Sequence, residues 1–583
     1  MLRALIIAIV VCAFASMPFA QSPSPTPDKR AETEREAIDL LRETLADVNQ
    51  LRTPENRISF TSELASLMWF HDPKEARAMY VTVITDFKQL LTQIDADANG
   101  PVVPDDDPIG PGLFSSGGSK AERKLRVAMA VRQSIAMSMG EHDADLAFTF
   151  FYETRGLVTN PKLASITAQQ DTYSEQQLTQ LVAKTEPAKA AEFGKQSLKK
   201  GVDSNHVELL KNIYAKDADK GIEFGQAVLD RSKSDPVRTY VLGEMLEFGD
   251  KSLQESQKPP TKKPVYTKEE LKGIADLLAT QILNADGDGS PYTAQQYVEE
   301  IEKFAPSRGV QIRLKIQQME ASNAARRRGG LSTGAVSVRP SASSSNRANS
   351  NTPPEINAAE QRAKMQKELA ENIQTLGTKQ LPKEERDKFV DRTRKLIMSS
   401  AGRETKIGAL CMLAGQVSRL GDKDLADDIM GDAERLLPAQ PKNYQDFVLT
   451  WMVVSGYAEA DPDRAFPLLN GAIARVNDTL AALIKIGEFI DVNEELISDG
   501  EAQIGAFGGS MVRSFTGELA LVGTTGTIRT LALADIKKTT AAANAFERPE
   551  ARVLAKMLIL RAVLDKTPQK DPRTTAMELN SDL

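Results

Sequence analysis

The chain has 583 residues, 41% hydrophobic and 26% charged, with 73 Lys plus Arg against 80 Asp plus Glu for a formal charge of -7. That length exceeds one ordinary domain, and that balance excludes both a wholly disordered chain and an integral membrane protein. Interleaved charge excludes electrostatic capture of nucleic acid, and 5% aromatic residues leave little for stacking sugars or bases.

At the start, Met1-Leu2-Arg3 is cationic, and Ala4 to Phe14 is an apolar run of the length of a secretory h-region. Residues 1–20 therefore read as a signal peptide, with small residues suited to cleavage after Ala15 or Ala20. The expected destination is the periplasm or the outside of the cell. No other stretch is apolar enough to span a bilayer. Removing the signal removes Cys12 and leaves Cys411 alone, so an intramolecular disulfide is excluded. Residues 21–30, opening on a Ser- and Pro-rich run, are expected to be a disordered mature terminus.

From residue 31 helical periodicity takes over. Ile38, Leu41, Leu45 and Val48 recur on one face, and Thr53-Pro54 starts the next helix with an N-cap hydroxyl and a first-turn proline. Ser119 with Glu122 and Thr267 with Glu270 carry capping-box spacing. An N-terminal helical repeat domain is assigned to 31–320. A low-complexity, disordered linker follows at 321–358, opening with Arg326-Arg327-Arg328-Gly329-Gly330, and a C-terminal helical domain occupies 359–565. Leu519 to Ile528 is the one stretch with hairpin composition and is read as a loop. Residues 566–583 form a polar tail expected to be disordered.

One local pattern recurs: an apolar helix, a turn bearing an acid, then Ala four positions on. It stands at Asp72/Ala76, Asp143/Ala147, Glu186/Ala190, Asp422/Ala426 and Asp461/Ala465, and Asp217/Gly221 is a glycine variant. The acid suits orphan amides and the helix dipole, and alanine permits close packing. The copy over 407–438, with Leu413, Gly421-Asp422, Ala426, Ala433 and Pro438, resembles a tetratricopeptide repeat. The copies at Asp72 and Asp461 keep part of that pattern. The turns are unevenly spaced, so the expected fold is all-α: an irregular α-solenoid of helical-hairpin repeats, in two helical regions joined by the linker.

Candidate sites are few. Asp95, Asp97 and Asn99 place oxygens at alternate positions before Gly100, and Asp106 falls where a calcium loop closes; a polar helix-ending loop is the competing reading, so no cofactor is expected and calcium is the one candidate. Asn284 to Gly289 repeats the first half of that pattern. His71, His142 and His206 are dispersed, with no Ser or Cys motif at recognisable spacing; His71 and His142 precede turn acids and fit helix C-terminal capping. The functional expectation is an exported, non-catalytic scaffold that binds a protein or peptide in the cell envelope. The alternative is an exported hydrolase using paired carboxylates on a helical scaffold.

Overall fold

The computed structural model describes residues 27–100, 119–258, 262–284, 291–329, 367–369, 371–372, 375–376, 382–400, 402–489, 497–507 and 524–565. The signal peptide, Asp106, the Asp286 loop, most of the expected linker and the tail beyond residue 565 lie outside them.

The first helices are α1 (Pro27–Val48), α2 (Pro54–Trp69) and α3 (Pro73–Asn99). Next come α4 (Lys120–Gly140), α5 (Ala144–Glu153), α6 (Pro161–Ala183), α7 (Pro187–Ser197), a 3-10 turn at Leu198–Lys200, α8 (Ser204–Lys216) and α9 (Ala218–Ser234). They continue with α10 (Thr239–Ser256), α11 (Lys268–Asn284), α12 (Pro291–Phe304) and α13 (Pro306–Gly329). The C-terminal half holds α14 (Lys383–Ser399), α15 (Arg403–Arg419), α16 (Lys423–Arg435), α17 (Tyr444–Ala460) and α18 (Pro462–Phe489). A two-stranded hairpin, β1 (Ile497–Ser498) and β2 (Glu501–Ala502), precedes α19 (Thr524–Ala534), α20 (Ile536–Asn544) and α21 (Pro549–Leu564). The fold is all-α, built of helical hairpins. Two expectations give way at its margins: α1 starts within the terminus read as disordered, and α13 runs through Gly329, into the tract read as linker.

The acid turns explain the hairpins. Asp72 accepts the amides of Lys74 and Glu75 at 3.0 Å, and Asp143 and Asp217 accept those of Leu146 and Lys220 at 3.0 Å. Asp422 takes Leu425 N–H at 3.4 Å, and Asp461 takes Asp463 N–H at 3.1 Å. Glu186, one methylene longer, makes no such cap and pairs with Lys189 at 2.8 Å. Ala76, Ala147, Ala190, Ala426 and Ala465 are all fully buried, as helix crossings require. At Gly221 a Cβ would lie 2.6 Å from the Tyr214 Cα, so the crossing of α8 and α9 admits only glycine. A seventh turn, at Asp535, was not foreseen: Asp535 caps Lys538 N–H at 2.9 Å, and Thr539 stands in the alanine's place.

The described residues form two compact units, one comprising those up to Val131 and from Lys367 onward, the other Arg132 to Gly329. In the second unit α5 to α9 pack each on the next, as do α10 to α13, and α6 packs on α8, α7 on α9, α8 on α10 and α11 on α13, the contact logic of an irregular solenoid. In the first, Val390 and Ile397 of α14 share a core with Leu410 and Leu413 of α15, Ile429 of α16 and Val453 and Tyr457 of α17. The division expected at 321–358 kept α1 to α3 with the N-terminal half. The structure instead packs α1 and α2 against α21, with Arg561 paired to Glu63. Apolar burial, which sets these partners, is blind to distance along the chain.

The hairpin also joins these ends. Its Asp499-Gly500 turn has φ of 51° and 68°, the doubly positive pair that an Asp-Gly dipeptide tolerates. Glu501, 3% exposed, accepts the amides of Arg52 at 2.9 Å and Thr53 at 2.8 Å, and Asn56 reaches the Ala502 carbonyl at 2.9 Å. The Thr53 hydroxyl, expected as the N-cap of α2, makes no cap bond; the carboxylate of Glu501 serves the backbone there instead.

Candidate functional site

The calcium pattern is not assembled among the described residues. Asp95, Asp97 and Asn99 lie within the final turns of α3 rather than in a loop. Asn99 donates to Asp95 at 3.4 Å on one face, whereas Asp97, two residues from either, sits about 200° around the helix. Among the described residues no group of three or more His, Cys, Asp and Glu side chains is placed to hold a metal ion. No helix among them is long and apolar enough to cross a membrane.

Of the histidines, His71 pairs through Nδ1 with Glu34 of α1 at 3.2 Å. His142 follows α4, its backbone amide on the Met139 carbonyl at 3.0 Å, and burial holds its imidazole below the usual histidine range.

The richest polar constellation is in the second unit, around α6. Arg132 is 3% exposed and bonds Asp171, with Nε on the Thr154 hydroxyl and Nη2 on the Phe151 carbonyl, both at 2.6 Å. Its guanidinium also lies 4.6 Å from the Phe151 ring centroid. Burial pulls its pKa below the arginine norm, and the charge of Asp171 opposes that pull. One turn on, Glu175 receives Lys200 at 2.8 Å and the Tyr152 hydroxyl at 3.2 Å, and Arg155 lies 3.6 Å from both acids. Burial and the charge of Glu175 push the Tyr152 phenol up to about 12. Asp171 and Glu175 are thus paired carboxylates, each held by cations.

On the next residue of α6, Gln176 donates to Asp203 Oδ2 at 3.1 Å and opens a second network. Asp203 and His206 form a reciprocal capping box at the start of α8. Asp203 Oδ1 lies 2.6 Å from His206 Nδ1, and His206 Nε2 lies 2.9 Å from Ser197 Oγ at the end of α7. Burial raises the Asp203 carboxyl, but its bonds to His206 and to the Asn205 amide outweigh that and hold it below its usual range. Sequence spacing overlooked this contact. Ser197 and His206 meet because the 3-10 turn and Gly201, at φ 111°, fold the chain back on itself. The Asp-x-x-His box at a helix start was the available signal.

No protein-family model matches the chain, and no curated protein does. A solved structure described as a "Circular tandem repeat protein with novel repeat topology and enhanced subunit contact surfaces" is similar at 13% identity, over 94% of this chain and 100% of that one, with a TM-score of 0.13. At that score the likeness carries no argument, and the fold rests on the helices themselves.

Proposed function

We propose that this chain is an exported scaffold whose helical hairpins hold a protein or peptide partner in the cell envelope. The observation that carries the reading is an apolar pair on α13 that the described residues leave open: Val310 and Leu314, one turn apart, are 57% and 55% exposed while Ile312 and Ile316 face the core. Large apolar side chains side by side in water mark a contact surface. The tetratricopeptide-like character of α15 and α16 supports it too, since Gly421 takes φ 88° at the turn and Ala426 and Ala433 are fully buried. Export rests on the Ala4 to Phe14 run.

The test is photo-crosslinking from position 314 in cells expressing the full chain with its own leader. One saturable envelope protein is expected, lost in a Val310→Asp, Leu314→Asp variant that keeps its melting temperature. Absence of any saturable adduct, or retention in the variant, overturns the reading.

A further inference from the structure

We propose that Ser197 is an activated nucleophile able to accept the acyl group of a small activated ester, with His206 as its base and Asp203 orienting the imidazole. The argument is geometric and independent of the scaffold reading. Nucleophilic serines need a base within hydrogen-bond reach and a third group fixing the base's tautomer. Ser197 Oγ, His206 Nε2 and Nδ1, and Asp203 Oδ1 stand in that order at 2.9 and 2.6 Å.

Two acceptors compete for the Ser197 proton. The Gly194 carbonyl lies 2.8 Å from Oγ and Nε2 lies 2.9 Å away, so a turn about Cβ–Oγ moves the hydrogen from one to the other. Around Nδ1, the Asp203 backbone amide stands at 3.2 Å and its carboxylate at 2.6 Å. The tautomer with its proton on Nδ1 donates to that carboxylate in place of accepting the Asp203 amide of the capping box, and it leaves the Nε2 lone pair facing the serine. Gln176 fixes the other carboxylate oxygen. His206 is 7% exposed, whereas Ser197 is half-buried.

In the step itself, the Oγ–acyl bond forms as the hydroxyl proton passes to Nε2. The ester C–O bond then breaks, and the departing alcohol takes that proton. Water attacks along the same path in reverse, returning Ser197 and releasing the carboxylic acid.

The test is labelling of the full chain with a fluorophosphonate probe, followed by peptide mass spectrometry. Label is expected on Ser197, absent in Ser197→Ala and unchanged in Ser204→Ala. His206→Gln keeps a side chain suited to the capping box and so keeps the fold, but removes the base; labelling should fall about a hundredfold or more. No label on Ser197 overturns the proposal, as does an equal rate in a folded His206→Gln protein.

Discussion

The ammonium of Lys556 on α21 lies 2.7 Å from the carboxylate of Glu43 on α1, 513 positions earlier in the chain. Asp47, one turn on, takes the same ammonium at 2.8 Å. Lys556 is 1% exposed, whereas both acids reach solvent. The asymmetry predicts unequal costs. Lys556→Met leaves two acids that water can serve and should cost about 1–2 kcal/mol. Glu43→Gln with Asp47→Asn strands a buried cation and should cost about 3 kcal/mol or more. Urea unfolding followed by tyrosine and tryptophan fluorescence reads the order, and the reverse order would mean that the ammonium is hydrated.

Glu501 serves three donors on α2 and the residues ahead of it, the third being Asn56 Nδ2 at 3.4 Å. Glu501→Ala leaves buried amides unpaired and should cost about 2–4 kcal/mol, with Glu501→Gln losing less because its carbonyl still accepts. Hydrogen exchange at Arg52 and Thr53 should accelerate in the alanine variant. Unchanged protection would remove the hairpin from any role in holding α2.

Two glycine substitutions in one unit should have opposite signs. Gly221→Ala drives a methyl against the Tyr214 backbone at 2.6 Å and should destabilise by about 1–3 kcal/mol. Gly273→Ala on α11 meets nothing within 4 Å and should stabilise by about 0.5–1 kcal/mol through helix propensity. Scanning calorimetry of the two variants decides it; a rise for both would mean that α8 and α9 do not approach this closely.

Cys411 is buried, and burial pushes its thiol up to about 12 from 9.0. The folded protein should resist thiol reagents that label it in denaturant. Above pH 9.0 the unfolded thiol ionises while the native one stays protonated, so the native state binds more protons and stability falls as pH rises. Between pH 8 and pH 10 the wild type should lose about 1 kcal/mol more than Cys411→Ala. Parallel losses in the two proteins would refute burial of this thiol.

What the sequence made legible was local. The acid-to-alanine turns carry their own chemistry within five residues, and every such alanine is fully buried in a hairpin. The Asp499-Gly500 turn was equally local and was passed over because its strands are two residues each, too short for an alternating pattern. Asp535 escaped because Thr539 replaces the alanine. Lys556 with Glu43, and Glu501 with Thr53, leave no trace in any window, since their partners are 513 and 448 positions away. Ser197 and His206 are nine apart and depend on how one short turn bends.

The clasp between α1 and α21 also imposes an order of events on synthesis. Residues 132–329 hold the second half of α4 and all of α5 to α13, and can close their unit as soon as they emerge. Helix α2 can pair at once with α3, but the faces of α1 and α2 that meet α21 have no such option, because the lysine and the hairpin that seat them are translated hundreds of codons later. The earlier helices must wait, with one apolar face uncovered, for a helix made much later.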